Sequence, residues 1–337
     1  MRIAIIGAGI FVRETYVPNF IANAGRVQLT AVLSRSAGPI DEIISLYLDG
    51  TSNSEIKIHK FVGAGGESAF FSQAREICDA VVIAVPIPLL GHYIERCLAI
   101  GLSILSEKPV AMNSTEAQRL IAFYEQQNIP GLWHVAENYR LEPAVAYASN
   151  LVRSHSSSPK AFALTAIRQQ TPTAKYAVTP WRVTPEYAGS FVLDGGIHFI
   201  AMLRAVLPGQ VTDIQAIYQE NSVVEVGSCG ACRVGDALGT FHIRYGLFSD
   251  VVCKLEVYWD DAIMTITQIK GVGYDVVMTG KDTQRFKFGG LQVEFTRWLD
   301  SFSDGRSPPI IIPELTPDES LLDLLVVEKM CQSLPIN

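Results

Sequence analysis

The sequence predicts an α/β chain of two domains, a parallel sheet covered by helices on both faces and then a mainly antiparallel, half-solvated sheet. Three observations carry this. Up to residue 136, short runs that are apolar throughout alternate with helical segments, the pattern of strands buried on both faces. Beyond residue 137 the runs lengthen and alternate between apolar and polar residues, the pattern of a sheet with one wet face. The chain has 337 residues, 48% apolar and 18% charged, which is long for one core and ample for two.

Residues 2–6 read as a short buried strand, 10–24 as a helix, 27–33 as a second strand and 40–48 as another helix. The glycine-rich stretch 61–69 reads as loop. Residues 79–85 form a β-branched apolar run stopped by Pro86. A helix is expected over 89–100, a strand at 102–105 and a last strand at 131–136. The pattern up to residue 136 amounts to about one domain. Asn113, with Glu116 three positions later, signals a helix N-terminus, and Ala117, Leu120, Ile121 and Tyr124 share its apolar face. After the polar turn Ser154–Pro159, strands are expected at 161–168, 211–219, 239–246, 250–259 and 262–270. In the fourth of these, Cys253, Leu255, Val257 and Trp259 alternate with Lys254, Glu256 and Tyr258. Thr316-Pro317-Asp318-Glu319 is a capping box with Pro at the first helical position, opening a helix over 317–333. The boundary falls at 136/137, giving domains 1–136 and 137–337.

Composition excludes several classes. Twenty-seven Lys and Arg against 34 Asp and Glu give a formal charge of -7, with no basic run to draw nucleic acid or an anionic membrane. No stretch approaches 18 consecutive apolar residues, and the start lacks the marks of a signal peptide. Six scattered cysteines fit a reducing, cytoplasmic setting. Cys229-Gly-Ala-Cys232 has redox or half-zinc spacing, but no second pair or nearby His completes it, so it is expected near a loop without function. No metal site is expected.

Gly7-Ala8-Gly9 directly follows the first strand and opens the first helix. Gly7 permits a tight turn, Gly9 lets a pyrophosphate approach the backbone, and the helix N-terminus beyond faces the phosphates. Val12 stands where a third glycine is usual, and a plain strand–turn–helix remains the alternative. The second strand ends in Ser34-Arg35 rather than Asp or Glu. Arg can pair a 2′-phosphate that a carboxylate would repel, which favours NADP over NAD, unless Arg35 is simply a solvent-facing loop residue. Glu107-Lys108-Pro109 follows the fifth strand, at the strand end where open α/β sheets bind ligands. Lys108 there can relay a proton and Glu107 can orient it, though a surface lysine in a loop is the commoner case. Asp194 and His198 are four apart, so a helical start would set them side by side, His198 exchanging a proton and Asp194 fixing its tautomer. An N-cap Asp and a core His would give the same spacing.

These pieces together resemble the glucose–fructose oxidoreductase / inositol dehydrogenase / rhizopine catabolism (Gfo/Idh/MocA) family of NAD(P)-dependent oxidoreductases. The matching residues are Gly7-Ala8-Gly9, Ala84-Val85-Pro86, His92, Glu107-Lys108-Pro109, Glu137-Asn138-Tyr139-Arg140 and Gly189 through His198. The resemblance spans nearly the whole chain. It implies a Rossmann domain, then an α/β domain whose open sheet supports a homodimer or homotetramer, and a C-terminal helix packing back on the first domain. It implies Lys108, Asp194 and His198 as the catalytic trio. Gly7, Gly9, Ile10, Phe11, Ser34, Arg35, Pro86, His92, Glu107, Lys108 and Asn138 would surround the dinucleotide. Tyr139, Arg140, Trp181, Arg182 and Phe191 would line the substrate, although the Trp181-Arg182 pair would equally serve as a loop anchor. Ser190 departs from the family's glycine run. The expected activity is hydride transfer between nicotinamide and a secondary alcohol or ketone of a sugar, polyol, dihydrodiol or biosynthetic intermediate. The alternatives are a dinucleotide-binding regulator without catalysis and an NAD-assisted glycoside-processing enzyme.

Overall fold

The computed structural model describes residues 1–52, 56–222, 224–302 and 309–332. The chain divides into two compact units, Met1–Ala136 with Phe295–Ser320, and Glu137–Glu294 with Leu321–Asn337.

The first unit runs β1 (Arg2–Ile6), α1 (Val17–Ala22), β2 (Gln28–Ser34), α2 (Ala37–Thr51), β3 (His59–Val62), α3 (Gly63–Ile77), β4 (Ala80–Ile83), α4 (Ile87–Ala99), β5 (Ser103–Glu107), α5 (Ser114–Gln126) and β6 (Trp133–Ala136). All six strands are parallel, in the order β3-β2-β1-β4-β5-β6. Ile3, Ala4, Ile5 and Ile6 are at most 1% exposed, as a central strand between two helix layers requires. The order reverses between β1 and β4, the place at which open α/β sheets generally bind ligands. The N-terminus of α5 is built as expected: Asn113 Oδ1 accepts the Glu116 N–H at 2.9 Å. Glu116 Oε2 in turn accepts from Met112 N at 3.0 Å, one residue upstream of the usual capping-box partner.

Two expectations for this unit are corrected. Residues 61–69 are not a loop. They end β3, the third of the six strands, and begin α3 without a connection. Their glycines serve this junction: Gly63 turns the chain at φ 64°, and a Cβ on Gly66 would lie 2.7 Å from the Phe61 carbonyl carbon. The helix expected at 10–24 is interrupted by a π turn, Val12–Tyr16, in which Val17 N–H bonds to Val12 O. Pro18 has no N–H to return to the carbonyl four residues back, which suits the chain to a break in the α pattern here.

The second unit runs α6 (Pro143–Ser154), β7 (Ala161–Gln169), α7 (Pro180–Val183), α8 (Ile197–Val206), β8 (Val211–Ser222), β9 (Glu225–Val234), β10 (Ala237–Gly246), β11 (Val252–Tyr258), β12 (Ile263–Ile269), β13 (Gly273–Met278) and β14 (Gln284–Lys287). Helix α9 (Gly290–Asp300) carries the chain out of this unit and α10 (Pro317–Met330) carries it back. The sheet order is β14-β13-β12-β11-β7-β10-β9-β8. Every pairing is antiparallel except β7 with β10. In β11, Cys253, Leu255 and Val257 are at most 3% exposed while Lys254, Glu256 and Tyr258 are half-exposed, the alternation read from the sequence.

Strands β9, β13 and β14 were absent from the sequence reading. Gly227 and Gly230 weaken the signal of β9, and both glycines are required by backbone packed against them, at Ile243 O and Gln215 O. Cys229 and Cys232 therefore lie in a strand, not near a loop. Three residues apart, they point to opposite faces, one exposed and one buried. The last helix ends at Met330, with Thr316 Oγ1 accepting the Glu319 N–H at 3.3 Å. Residue 333 of the expected span lies outside the described residues.

Candidate active site

In the first unit the site is made mostly of backbone. Gly7 has φ 113° and donates its N–H to Leu33 O at 2.8 Å. A Cβ there would lie 2.1 Å from Ala84 O, so only glycine lets the turn pass the end of β4. Gly9 is the opposite case. It is exposed, with no heavy atom within 4 Å of where a Cβ would stand. That open backbone, at the point where strand order reverses, fits the close approach of a pyrophosphate. Ile10 and Phe11 follow, half-buried, with Phe11 edge-on to Tyr16 at 5.7 Å. Val12, in the third glycine's place, is fully buried.

The other residues expected at the dinucleotide lie at strand ends and helix starts of the same unit. Ser34 ends β2 and the exposed Arg35 follows it. Pro86 stands immediately before α4. Glu107 ends β5 and accepts from the Tyr16 hydroxyl at 2.7 Å, tying the strand end to the π turn. Lys108 is half-buried and joined to the buried Pro109 by a cis peptide. His92 lies in α4. Its Nε2 meets Glu67 Oε1 at 2.8 Å, and Tyr93 and Arg96 bind the same carboxylate from α4. Burial pushes the Glu67 carboxyl up, but the hydrogen bonds of His92 and Tyr93 and the charge of Arg96 hold it below the usual range.

In the second unit the site is made of side chains. Glu137 is fully buried. Its Oε1 accepts the Tyr139 N–H at 3.1 Å and meets His198 Nδ1 at 2.8 Å. The Tyr139 ring stacks on the imidazole, centroids 4.5 Å apart and 15° from parallel. Asp194 sits in a second π turn, Val192–Gly196, directly before α8. Its Oδ2 accepts from Arg182 Nε at 2.6 Å. The Arg182 guanidinium lies 3.9 Å from the Trp181 ring centroid and 5.2 Å from that of Tyr176. Phe191 is buried against Tyr245, 5.6 Å between centroids. Gly195 leaves room for the Tyr245 hydroxyl, which a Cβ would meet at 2.4 Å.

This geometry changes three expectations. The carboxylate on His198 Nδ1 belongs to Glu137, not Asp194. Asp194 lies in a π turn and His198 in the α-helix after it, so the four-residue spacing of a continuous α-helix does not apply between them. Arg182 is the anchor of Asp194, the structural alternative weighed for the Trp181-Arg182 pair. Arg140 is turned inward instead of toward a substrate. It ion-pairs with Asp323 of α10, which also takes Arg204 Nη1 at 2.5 Å, and the Arg140 and Asp323 side chains are 3% and 2% exposed. Ser190 keeps the left-handed backbone of a glycine, at φ 45° after Gly189 at φ 89°. Asn138 is half-buried beside Gly290, where a Cβ would meet its carbonyl at 2.3 Å. The motif Glu137-Asn138-Tyr139-Arg140 gives Glu137 no role of its own, because its partner 61 residues away leaves no mark in the local pattern. Among the described residues, no three His, Cys, Asp or Glu side chains form a group that could hold a metal ion. No helix among them is long and apolar enough to cross a membrane.

The comparisons agree with this architecture. Residues 1–130 match the family model GFO_IDH_MocA, the oxidoreductase family with an NAD-binding Rossmann fold. Dehydrogenase FPY6 of Fusarium mangiferae is 28% identical over 349 residues, covering 98% of this chain and 95% of that protein. The crystal structure of an oxidoreductase (TM0312) from Thermotoga maritima shares the fold with a TM-score of 0.83 at 23% identity, covering 99% of this chain and 96% of that one. KijD10, a 3-ketoreductase from Actinomadura kijaniata solved with TDP-benzene and NADP, has a TM-score of 0.74 at 15% identity, covering 98% and 96%. The glycine turn, which fits a nicotinamide dinucleotide, lies within the residues that match this family model, so residues 1–130 form a Rossmann oxidoreductase domain of the Gfo/Idh/MocA type.

Proposed function

We propose that this protein is an NADP-dependent reductase or dehydrogenase of a secondary alcohol or ketone carbon in a sugar or nucleotide sugar. The observation that carries the reading is the joint presence of an open glycine turn at Gly7–Gly9 and a histidine fixed on two sides at His198. The ketoreductase activity and NADP of KijD10 support it by similarity of fold. Arg35, exposed directly after β2 with no carboxylate at that strand end, supports NADP over NAD.

A nicotinamide dinucleotide held at the Gly7–Gly9 turn would supply the donor or acceptor of the hydride. In the oxidising direction the substrate loses a hydride from carbon and a proton from its hydroxyl as the C=O bond forms. Lys108 or His198 takes that proton, and in reverse returns it to the carbonyl oxygen. A well-aimed donor on the oxygen where charge develops contributes roughly 3–4 kcal/mol to lowering the barrier. Asp194 acts on the site through Arg182, holding the Trp181 segment in place. Tyr139, Trp181 and Phe191 supply apolar surface for a sugar ring.

Turnover followed by NADPH absorbance tests the reading. Lys108→Met is expected to lower kcat by roughly 10²–10⁴-fold while fluorescence titration shows NADPH binding unchanged. Unaltered turnover removes Lys108 from the chemistry. Tighter binding of NAD than of NADP overturns the cofactor assignment.

A further inference from the structure

We infer that Glu137 is the positioning residue of the proton-exchanging histidine, holding the proton on His198 Nδ1 and so presenting Nε2 to the substrate oxygen. The inference deepens the proposed function and rests on it for the role of His198. The tautomer itself follows from geometry alone. Glu137 Oε1 already accepts the backbone N–H of Tyr139 at 3.1 Å, so this oxygen is an acceptor. A bare nitrogen lone pair facing it at 2.8 Å would be repelled, whereas an Nδ1–H donates to it. The carboxylate is fully buried, and its exchange of hydration for these two donors keeps the hydrogen bond strong.

The ring is also fixed in orientation. Tyr139, stacked at 4.5 Å, blocks rotation about the Cβ–Cγ bond, and the Phe199 ring lies perpendicular to Tyr139 at 5.7 Å between centroids. A single turn, Glu137 to Tyr139, therefore supplies both the edge contact and the face contact on the imidazole. When Nε2 takes the alcohol proton, the ring becomes positive while Nδ1–H stays on Glu137. The buried carboxylate compensates that charge. When the proton returns to a carbonyl oxygen, the ring reverts to the same neutral tautomer, so the cycle closes without rearrangement at Nδ1.

Two variants separate this role from the helix-capping contact Glu137 also makes. Glu137→Gln keeps an acceptor for both donors but removes the charge, and Glu137→Met removes both. Long-range ¹H–¹⁵N spectra of the full chain, with His198 assigned by loss of its signals in His198→Asn, read the tautomer directly. The native protein and Glu137→Gln are expected as the Nδ1–H form, and Glu137→Met as a mixture or the Nε2–H form. With NADPH and an active substrate, kcat is expected to fall roughly 10²–10⁴-fold in Glu137→Met and less in Glu137→Gln, with KM for NADPH within about twofold. An Nε2–H tautomer in the native protein overturns the inference. So does Glu137→Met with native tautomer and kcat, even at a lowered Tm. If no substrate is turned over, the proposed function fails while the tautomer spectra still decide the placement of the proton.

Discussion

Gly7 in the first unit and His198 in the second are held by different forces. Around Gly7 the contacts are backbone on backbone: its N–H on Leu33 O, and its α-carbon hydrogen against Ala84 O. Around His198 they are side chain on side chain, from Glu137 and Tyr139, with a buried Asp323 bridging Arg140 and Arg204 in the same unit. Both units place a π turn just before a helix, at Val12–Tyr16 and at Val192–Gly196, yet the first serves a glycine turn and the second carries Asp194. A dinucleotide phosphate presents the same shape in every complex, and backbone N–H groups suit it. Substrates differ, and side chains are the part of a protein that varies without altering the fold.

The largest expected effect breaks the side-chain half of this comparison. Asp323→Ala leaves two buried guanidinium groups without their shared carboxylate, and denaturant unfolding should show a loss of about 3–5 kcal/mol. A loss below about 1 kcal/mol would mean that burial of these charges does not hold the second unit together.

Next, Gly7→Ala tests the backbone half. It combines a strained φ with a clash against a main-chain carbonyl, and should cost at least about 3 kcal/mol. Gly9→Ala, which meets nothing, should leave the unfolding midpoint unchanged and weaken only nicotinamide dinucleotide binding in a fluorescence titration. Equal stability of the two variants would show that the turn is not set by contact with Ala84.

The smallest effect sharpens the contrast through a buried titratable side chain of the first unit that bonds to backbone. His134 of β6 is fully buried and its Nε2 accepts the Ile312 N–H at 3.1 Å. Burial pushes its imidazole down from 6.5 to about 4. The folded state thus refuses a proton that the unfolded chain takes up near pH 6.5. The neutral histidine's contribution is complete above that pH and is lost as pH falls toward about 4, about 2 kcal/mol of it by pH 5 and roughly 3 kcal/mol in full. Unfolding at pH 7.5 and pH 5 should differ less in His134→Gln than in the native chain, since Gln can accept the same N–H without titrating. An identical pH dependence would remove His134 from the acid response.

Much of this was legible in the residues. The apolar runs at 2–6 and 79–85, the Asn113 cap and the alternation in β11 all rest on local rules, and the structure follows them. Glycine was less uniform as a signal. At Gly7 it marked a turn as read, but at 63–66 it marked a strand running straight into a helix, because glycine also permits close backbone contact. In β9 it masked a strand for the same reason.

By itself the sequence determined the two architectures, the glycine turn, and which chemical groups the chain can offer: Lys108, Asp194, His198 and Arg35 among them. Only the tertiary structure decided how those groups are paired. Periodicity relates residues a few positions apart, whereas Glu137 meets His198 across 61 residues and Arg140 meets Asp323 across 183. A buried charge takes whichever partner the packed fold brings within hydrogen-bond reach, and no local pattern records that choice.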